Sequence, residues 1–216
     1  MPGNVAMPAN IAPMQALAFG DEGSAATAVS RAQPLPATLD GLLRPFRAVA
    51  TFSRPADAVA YAIGDLIANS TTAASVTPLS FTAGRLDSSS VLRNANVLIT
   101  SVRIIASSGA PAILPRFSLY GLAGPFAAAA YPADNAVLRG ATGALTTAAL
   151  ELEQIVGDVT AWTQAASGLA YADIIPTVPL PVTTDAAGLV RGLLEARNAA
   201  TPTSGLTYTA ILRGLH

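Results

Sequence analysis

The 216-residue sequence has no cysteine, no lysine and one histidine, and only 12% of its residues are charged. Without cysteine there is no disulfide framework and no thiolate metal site. The histidine is the last residue, His216, where a general base would lack a cleft and a second group to orient it. The charged share is half the roughly 25% of an ordinary globular chain. A free-standing domain normally carries more charge on its surface, so the shortage reads as an outside largely covered by neighbours. All twelve basic residues are arginine. Interfaces deplete lysine and keep arginine, whose planar fork suits bidentate contacts; a GC-rich genome also replaces lysine by arginine, and both explanations stay open. A net charge of −1 with no basic run argues against nucleic acid as a direct partner.

Long hydrophobic runs are missing too. Apolar residues make up 51% of the chain, yet no window supplies the roughly 18 continuous apolar residues of a spanning helix. The opening "MPGNVAMPANIAPMQ" has neither the basic region nor the apolar run of a signal peptide. A soluble chain with no membrane partner is expected.

What is there falls into two parts. Over residues 1–44, Pro2, Pro8, Pro13, Pro34 and Pro36 interrupt any long helix or central strand. Ile11, Met14, Leu17 and Phe19 nevertheless crowd into a stretch too apolar for a disordered tail. The expectation is an extended N-terminal arm, with at most one short helical turn, laid on another surface through these four residues; a floppy terminus with incidental apolar residues is the alternative.

Residues 45–216 read as a β domain. "FRAVATF" sets Phe46, Ala48, Ala50 and Phe52 against Arg47, Val49 and Thr51, the two-residue period of a half-buried strand. "VTPLSFTAG" puts Leu79, Phe81 and Ala83 on one side. "ANVLITSVRIIAS" is long enough for a central strand, and "AILPRFSLYG" turns Ile113, Phe117 and Leu119 inward, with Pro115 marking an edge or a bulge. "GLVRGLLEAR" and "LTYTAILRGL" alternate around "NAATPTSG", which has hairpin-loop residues. Residues 125–143 fit a short helix or a long loop. Residues 144–159 lean towards strand. Seven to nine short strands separated by turn clusters predict an all-β, jelly-roll-like β-sandwich. Its expected core includes Phe52, Leu79, Phe81 and Phe117, with Asp57, Gly64, Asp65 and Asn69 shaping turns.

The search for chemistry returns little. There is no nucleophile elbow, phosphate-cradling loop or HExxH pattern. Glu151 and Glu153 lie two apart and read as solvated surface glutamates, unlike the facing carboxylates of a glycosidase. Asp57, Asp65, Asp87, Asp134, Asp158, Asp173 and Asp185 are scattered singly and read as turn-closing residues. Trp162 with Tyr171 is the one aromatic pair that could form a sugar platform, although Trp162 in the core is the simpler reading. No catalytic, cofactor-binding or metal-binding residue emerges, and no cofactor is implied.

One stretch has a distinctive wording. "FSRPADAVAYAIGDLIANSTTAASVTPLSF", Phe52 to Phe81, runs from an aromatic-x-Arg-Pro-Ala-Asp segment to Tyr-Ala-x-Gly-Asp. An Asn-Ser-Thr-Thr turn then leads into Pro-Leu-x-Phe. With the closing "GLLEARNAATPTSGLTYTAILRGL", 192–215, it resembles a family of virion structural proteins of tailed bacteriophages. The resemblance frames residues 46 to 216 and leaves the arm uncovered. It implies a non-enzymatic capsid cement or decoration protein, made in the host bacterial cytoplasm and carried on the outer capsid surface. The implied partners are the major capsid protein and, in a homotrimer, further copies of itself. A head–tail connector, a tail or head-fibre component, and a β-sandwich carbohydrate- or receptor-binding module are the alternatives.

Overall fold

The structure is a computed structural model that describes residues 18–19, 27–28, 44–84, 91–121, 131–139 and 153–216. The chain forms two compact units, Met1–Leu42 and Leu43–His216. In the first, β1 (Ala18–Phe19) pairs antiparallel with β2 (Thr27–Ala28). Of the four expected arm residues only Phe19 is described, in β1. Ile11, Met14 and Leu17 fall outside the described residues.

The second unit is built from β3 (Pro45–Ser53), β4 (Leu66–Ile67), β5 (Leu79–Thr82), β6 (Asn96–Ala106), β7 (Pro115–Tyr120), β8 (Glu153–Asp158), β9 (Thr163–Gln164), β10 (Ala170–Ile174), β11 (Leu180–Thr183), β12 (Leu189–Ala196) and β13 (Thr207–Leu215). A single 3-10 turn, Ala73–Ser75, is the only helical piece among the described residues. One sheet runs β3-β13-β6-β10-β9, with β11 continuing the β10 position along β6; the other runs β4-β12-β7-β8, with β5 continuing the β4 position along β12. The antiparallel pairs are nested: β3 with β13, β4 and β5 with β12, β6 with β10 and β11, and β7 with β8. Successive pairs alternate between the sheets. That arrangement is the jelly roll, a long antiparallel ribbon rolled into two packed layers.

Sequence alternation decides what faces inward. In the first sheet, the rows Ala50–Ala210–Ile104–Ala172 and Ala48–Leu212–Val102–Ile174 are in register and all eight residues are buried. Leu79, Phe81 and Phe117 of the second sheet close the core from the other side. Phe81 and Phe117 meet edge to face at 6.0 Å, an arrangement worth about 0.5–1.5 kcal/mol beyond burial. Gly192 lies between these rings: a Cβ there would meet Phe117 at 2.8 Å and Phe81 at 3.0 Å. Phe52 is only partly buried, packing against the core and stacking on Tyr208 at 5.8 Å, because it sits near the end of β3.

Two local expectations are corrected. Pro115 does not mark an edge, since β7 lies between β12 and β8; the other reading, a bulge, has its counterpart in the β7–β8 ladder, where the register shifts between Phe117 and Ser118. The proline is the strand's first residue, where its missing N–H is tolerated. Nor is "NAATPTSG" a hairpin loop: β12 and β13 belong to opposite sheets, and the segment arches between them.

Candidate functional site

The distinctive stretch builds a buried clamp. Arg54 follows directly on β3, and its side chain is 0% exposed. Its Nη2 donates to Asp134 Oδ2 at 2.9 Å and to Asp57 Oδ1 at 3.2 Å, its Nε to Tyr61 Oη at 2.5 Å, and its Nη1 to the Thr203 carbonyl at 3.3 Å. Tyr61 Oη in turn donates to Asp134 Oδ1, which also accepts the Ala68 N–H. Burial, and then the hydrogen bond to Asp134, raise the Tyr61 hydroxyl far above the ordinary phenol range. A buried arginine–carboxylate pair needs such additional hydrogen bonds to offset its desolvation. Asp65 accepts the Ala62 N–H at 2.6 Å, and Asn69 Oδ1 accepts the Thr77 N–H at 2.8 Å. Gly64 adopts φ +94°, a conformation glycine takes without strain, and its carbonyl accepts the Leu138 N–H. The clamp thus ties residues 54–77 to residues 134–139.

Its consequence is a covered face. Residues 131–139 supply Tyr131 and Leu138 to a second small core with Leu66, Ala68, Val76, Tyr120 and Leu193, side chains that alternate with those of the main core. Beside it lies an ionic lattice. Arg139 bonds both Glu153 and Glu195, and Tyr120 Oη donates to Glu153 at 2.8 Å. Arg116 Nε donates to Asp158 at 2.7 Å, and Arg197 reaches Asp158 at 3.5 Å and Glu195 at 3.4 Å. Three arginines balance three carboxylates. Burial opposes the charged form of Glu153, but the bonds from Arg139 and Tyr120 outweigh it and leave its carboxyl below the usual range. The Arg116 bond does the same for Asp158.

Several sequence expectations change here. Glu153 is a buried ion-pair partner rather than a solvated surface glutamate; Glu151 lies outside the described residues. Asp134 lies in a turn that its carboxylate does not close, and Asp158 and Asp173 lie in no turn. The first is the buried clamp acid, and the others sit in β8 and β10, bound to arginines. Trp162 donates from Nε1 to the Ile113 carbonyl at 2.9 Å and packs against the core, whereas Tyr171 lies under the Arg103 guanidinium at 4.8 Å. The two rings therefore engage different neighbours. His216 does not fray, because its backbone exchanges two hydrogen bonds with Arg44.

The outer face of the first sheet is different. Within Leu43–His216 no described segment covers it. Its rows are Arg47–Arg213, Val49–Ile211–Arg103–Asp173, and Thr51–Thr209–Ile105–Tyr171. Arg47, Val49, Thr51, Ser53 and Arg213 are exposed. The hydroxyls of Thr51 and Thr209 bond each other at 3.0 Å, and those of Ser53 and Thr207 at 2.7 Å. Arg103 grips Asp173 with two bonds of 2.7 Å. The sequence had shown Arg47, Val49 and Thr51 sharing a side; their pairing with β13 was not visible, because register joins residues about 160 positions apart.

An open groove of about 560 Å³ runs between β8 and the β10–β11 link, lined by Ile155, Val156, Ile175, Val178 and Leu180. Its acids, Asp158 and Asp173, are committed to Arg116 and Arg103. Among the described residues no group of three or more His, Asp or Glu could hold a metal ion, and no helix is long and apolar enough to cross a membrane. No protein-family model matches the sequence, and neither does any curated protein.

Proposed function

We propose that this chain is a non-enzymatic virion structural protein of a tailed bacteriophage, binding the outer capsid shell as a cement or decoration protein. The observation that carries the reading is the unequal finish of the jelly roll: one outer face is closed by the chain's own residues 131–139, while the other, among the described residues, exposes arginine, aliphatic and hydroxyl side chains. A subunit whose work is contact needs such a rigid, uncovered surface and no cleft with a free acid–base pair. The likeness of Phe52–Phe81 and of 192–215 to virion proteins supports the same reading, since Arg54, Asp57 and Tyr61 in that stretch build the clamp that holds the covered side closed.

In this reading the subunit is a homotrimer that braces neighbouring capsomers, and the first unit adds contacts to an adjoining subunit. Several weak contacts on one molecule couple, so the loss of one does not release the subunit. The test is copy number in purified particles, measured by quantitative mass spectrometry against the major capsid protein. Near-stoichiometric abundance is expected. A handful of copies per particle would move the chain to the neck or tail, and complete absence would sink the virion reading. Deleting residues 1–43 should leave a folded β unit that binds particles more weakly than the full chain; equal binding would remove the first unit from the interface.

A further inference from the structure

We propose that the open face of the first sheet docks onto a carboxylate-rich surface of a partner protein, with the cross-strand pair Arg47 and Arg213 as its anchor. That the partner is the capsid shell rests on the function proposed above; the chemistry of the partner rests on the face alone.

The anchor is a like-charge pair. Arg47 and Arg213 stand directly opposite each other on adjacent strands, both exposed, and like charges so placed work against the fold. Among the described residues neither makes an ion pair. The one acid on the face, Asp173, has both oxygens bound by Arg103. The same chain matches arginine to carboxylate wherever it closes a surface on itself, as around Arg139, Arg116 and Arg197. Arg213 is within electrostatic reach of Asp173, but Arg103 already holds both oxygens of that carboxylate, so the two exposed guanidiniums keep their hydrogen-bonding forks free for carboxylates from elsewhere, which arginine binds through paired hydrogen bonds.

The rest of the face points to a protein rather than a nucleic acid. Next to the arginine pair lies Val49, 43% exposed, beside Ile211, followed by paired threonine hydroxyls and the Arg103–Tyr171 stack. Arginine and tyrosine around an aliphatic centre, with no lysine or glutamate, is the composition of a protein–protein contact. A phosphate backbone would select basic residues along the whole face. β3 and β13 are nine residues long, β6 is eleven, and β10 with β11 fills the fourth position beside β6; at about 4.8 Å between strands and about 3.4 Å per residue the face spans about 20 Å by about 30 Å. That is the scale of the roughly 800 Å² each partner gives a standard interface.

The experiment titrates the full chain with a fluorescent 15-residue polyglutamate peptide. It compares the wild type with Arg47→Glu/Arg213→Glu and with Arg93→Glu, a control of the same sign on an exposed residue outside the paired rows of this face. Binding that weakens at least tenfold in the double variant, persists in Arg93→Glu, and fades between about 50 mM and about 500 mM NaCl is the expected result. Equal binding in both variants, no binding at all, or tighter binding of a single-stranded DNA of the same length through the same two arginines would overturn the proposal. Arg213→Gln supplies a second readout. It relieves the like-charge contact, so it should raise Tm while weakening the peptide; a fall in Tm would make Arg213 a structural residue instead. Because the peptide contains no virion component, its failure overturns the docking face and leaves copy number to decide the virion reading.

Discussion

On the outer side of the second sheet three arginines meet three carboxylates and a segment of the chain lies over them; on the outer side of the first, Arg47 meets Arg213 and no described segment covers either. Both faces come from the same antiparallel ribbon with the same alternation, so secondary structure does not explain the contrast. The covered face adds a second apolar layer, Leu193 and Tyr120 beneath Tyr131 and Leu138. It thereby buries β12 on both sides. The open face keeps its hydroxyls and guanidiniums in water, where surface groups contribute little to stability. One side of the sandwich is built for folding and the other is left available.

The contrast breaks most completely if the cover is released. Asp134→Ala strips Arg54 of its fully buried carboxylate and leaves it, for a carboxylate, only the longer bond to the partly exposed Asp57, a loss of about 3 kcal/mol. Urea unfolding measures it, and a change below about 1 kcal/mol would show that the cover does not depend on the clamp. Leu193→Ala leaves the clamp intact and removes the centre of the second apolar layer, at a cost of about 2–5 kcal/mol for a buried leucine. Hydrogen exchange should then rise in residues 131–139 and stay unchanged in β3 and β13. Uniform loosening of both sheets would mean that the two faces are not energetically separate.

Acid sharpens the comparison more gently. Glu153 and Asp158 on the covered side, Asp173 on the open side and Asp185 in the β11–β12 turn are all held below the usual carboxylate range by their partners. A carboxyl whose folded pKa lies below its unfolded value contributes stability that is complete above the unfolded value and is lost as pH falls through the folded one. Tm should be flat above about pH 5 and fall progressively below about pH 4, where unfolded carboxyls begin to protonate. Glu153→Gln should reduce that slope. A Tm that holds to pH 3 in the wild type would remove the lattice as a source of stability.

How much of this was legible beforehand depended on distance along the chain. The alternation of Phe46 to Phe52, and of Leu79, Phe81 and Ala83, is local, and it named strands and inward faces correctly. Phe52 was overestimated because alternation does not report where a strand ends. The clamp was half visible: Arg54, Asp57 and Tyr61 stood out as a motif, but Asp134 lies 80 residues from Arg54, and no spacing rule links them. The reading of residues 125–143 as a short helix or a long loop concealed the role of 131–139 for the same reason, since an irregular segment carries no period. The partnering of β12 and β13 with opposite sheets was misread because turn residues in a connection do not say whether it returns to the same sheet.

The finest test of the contrast is Val49→Ala. The residue is the most exposed aliphatic of the open sheet face, so truncating it should change stability by no more than about 0.5 kcal/mol, although Leu193, also an outward aliphatic of a central row, costs several times that. Thermal melts of the two variants side by side measure the ratio. If Val49→Ala were as costly as Leu193→Ala, the first sheet's outer side would have to be packed in the free chain and could not serve as a docking surface. A near-silent melt combined with weaker attachment to particles would put the worth of Val49 in the contact it makes after folding, which is where an uncovered face stores it.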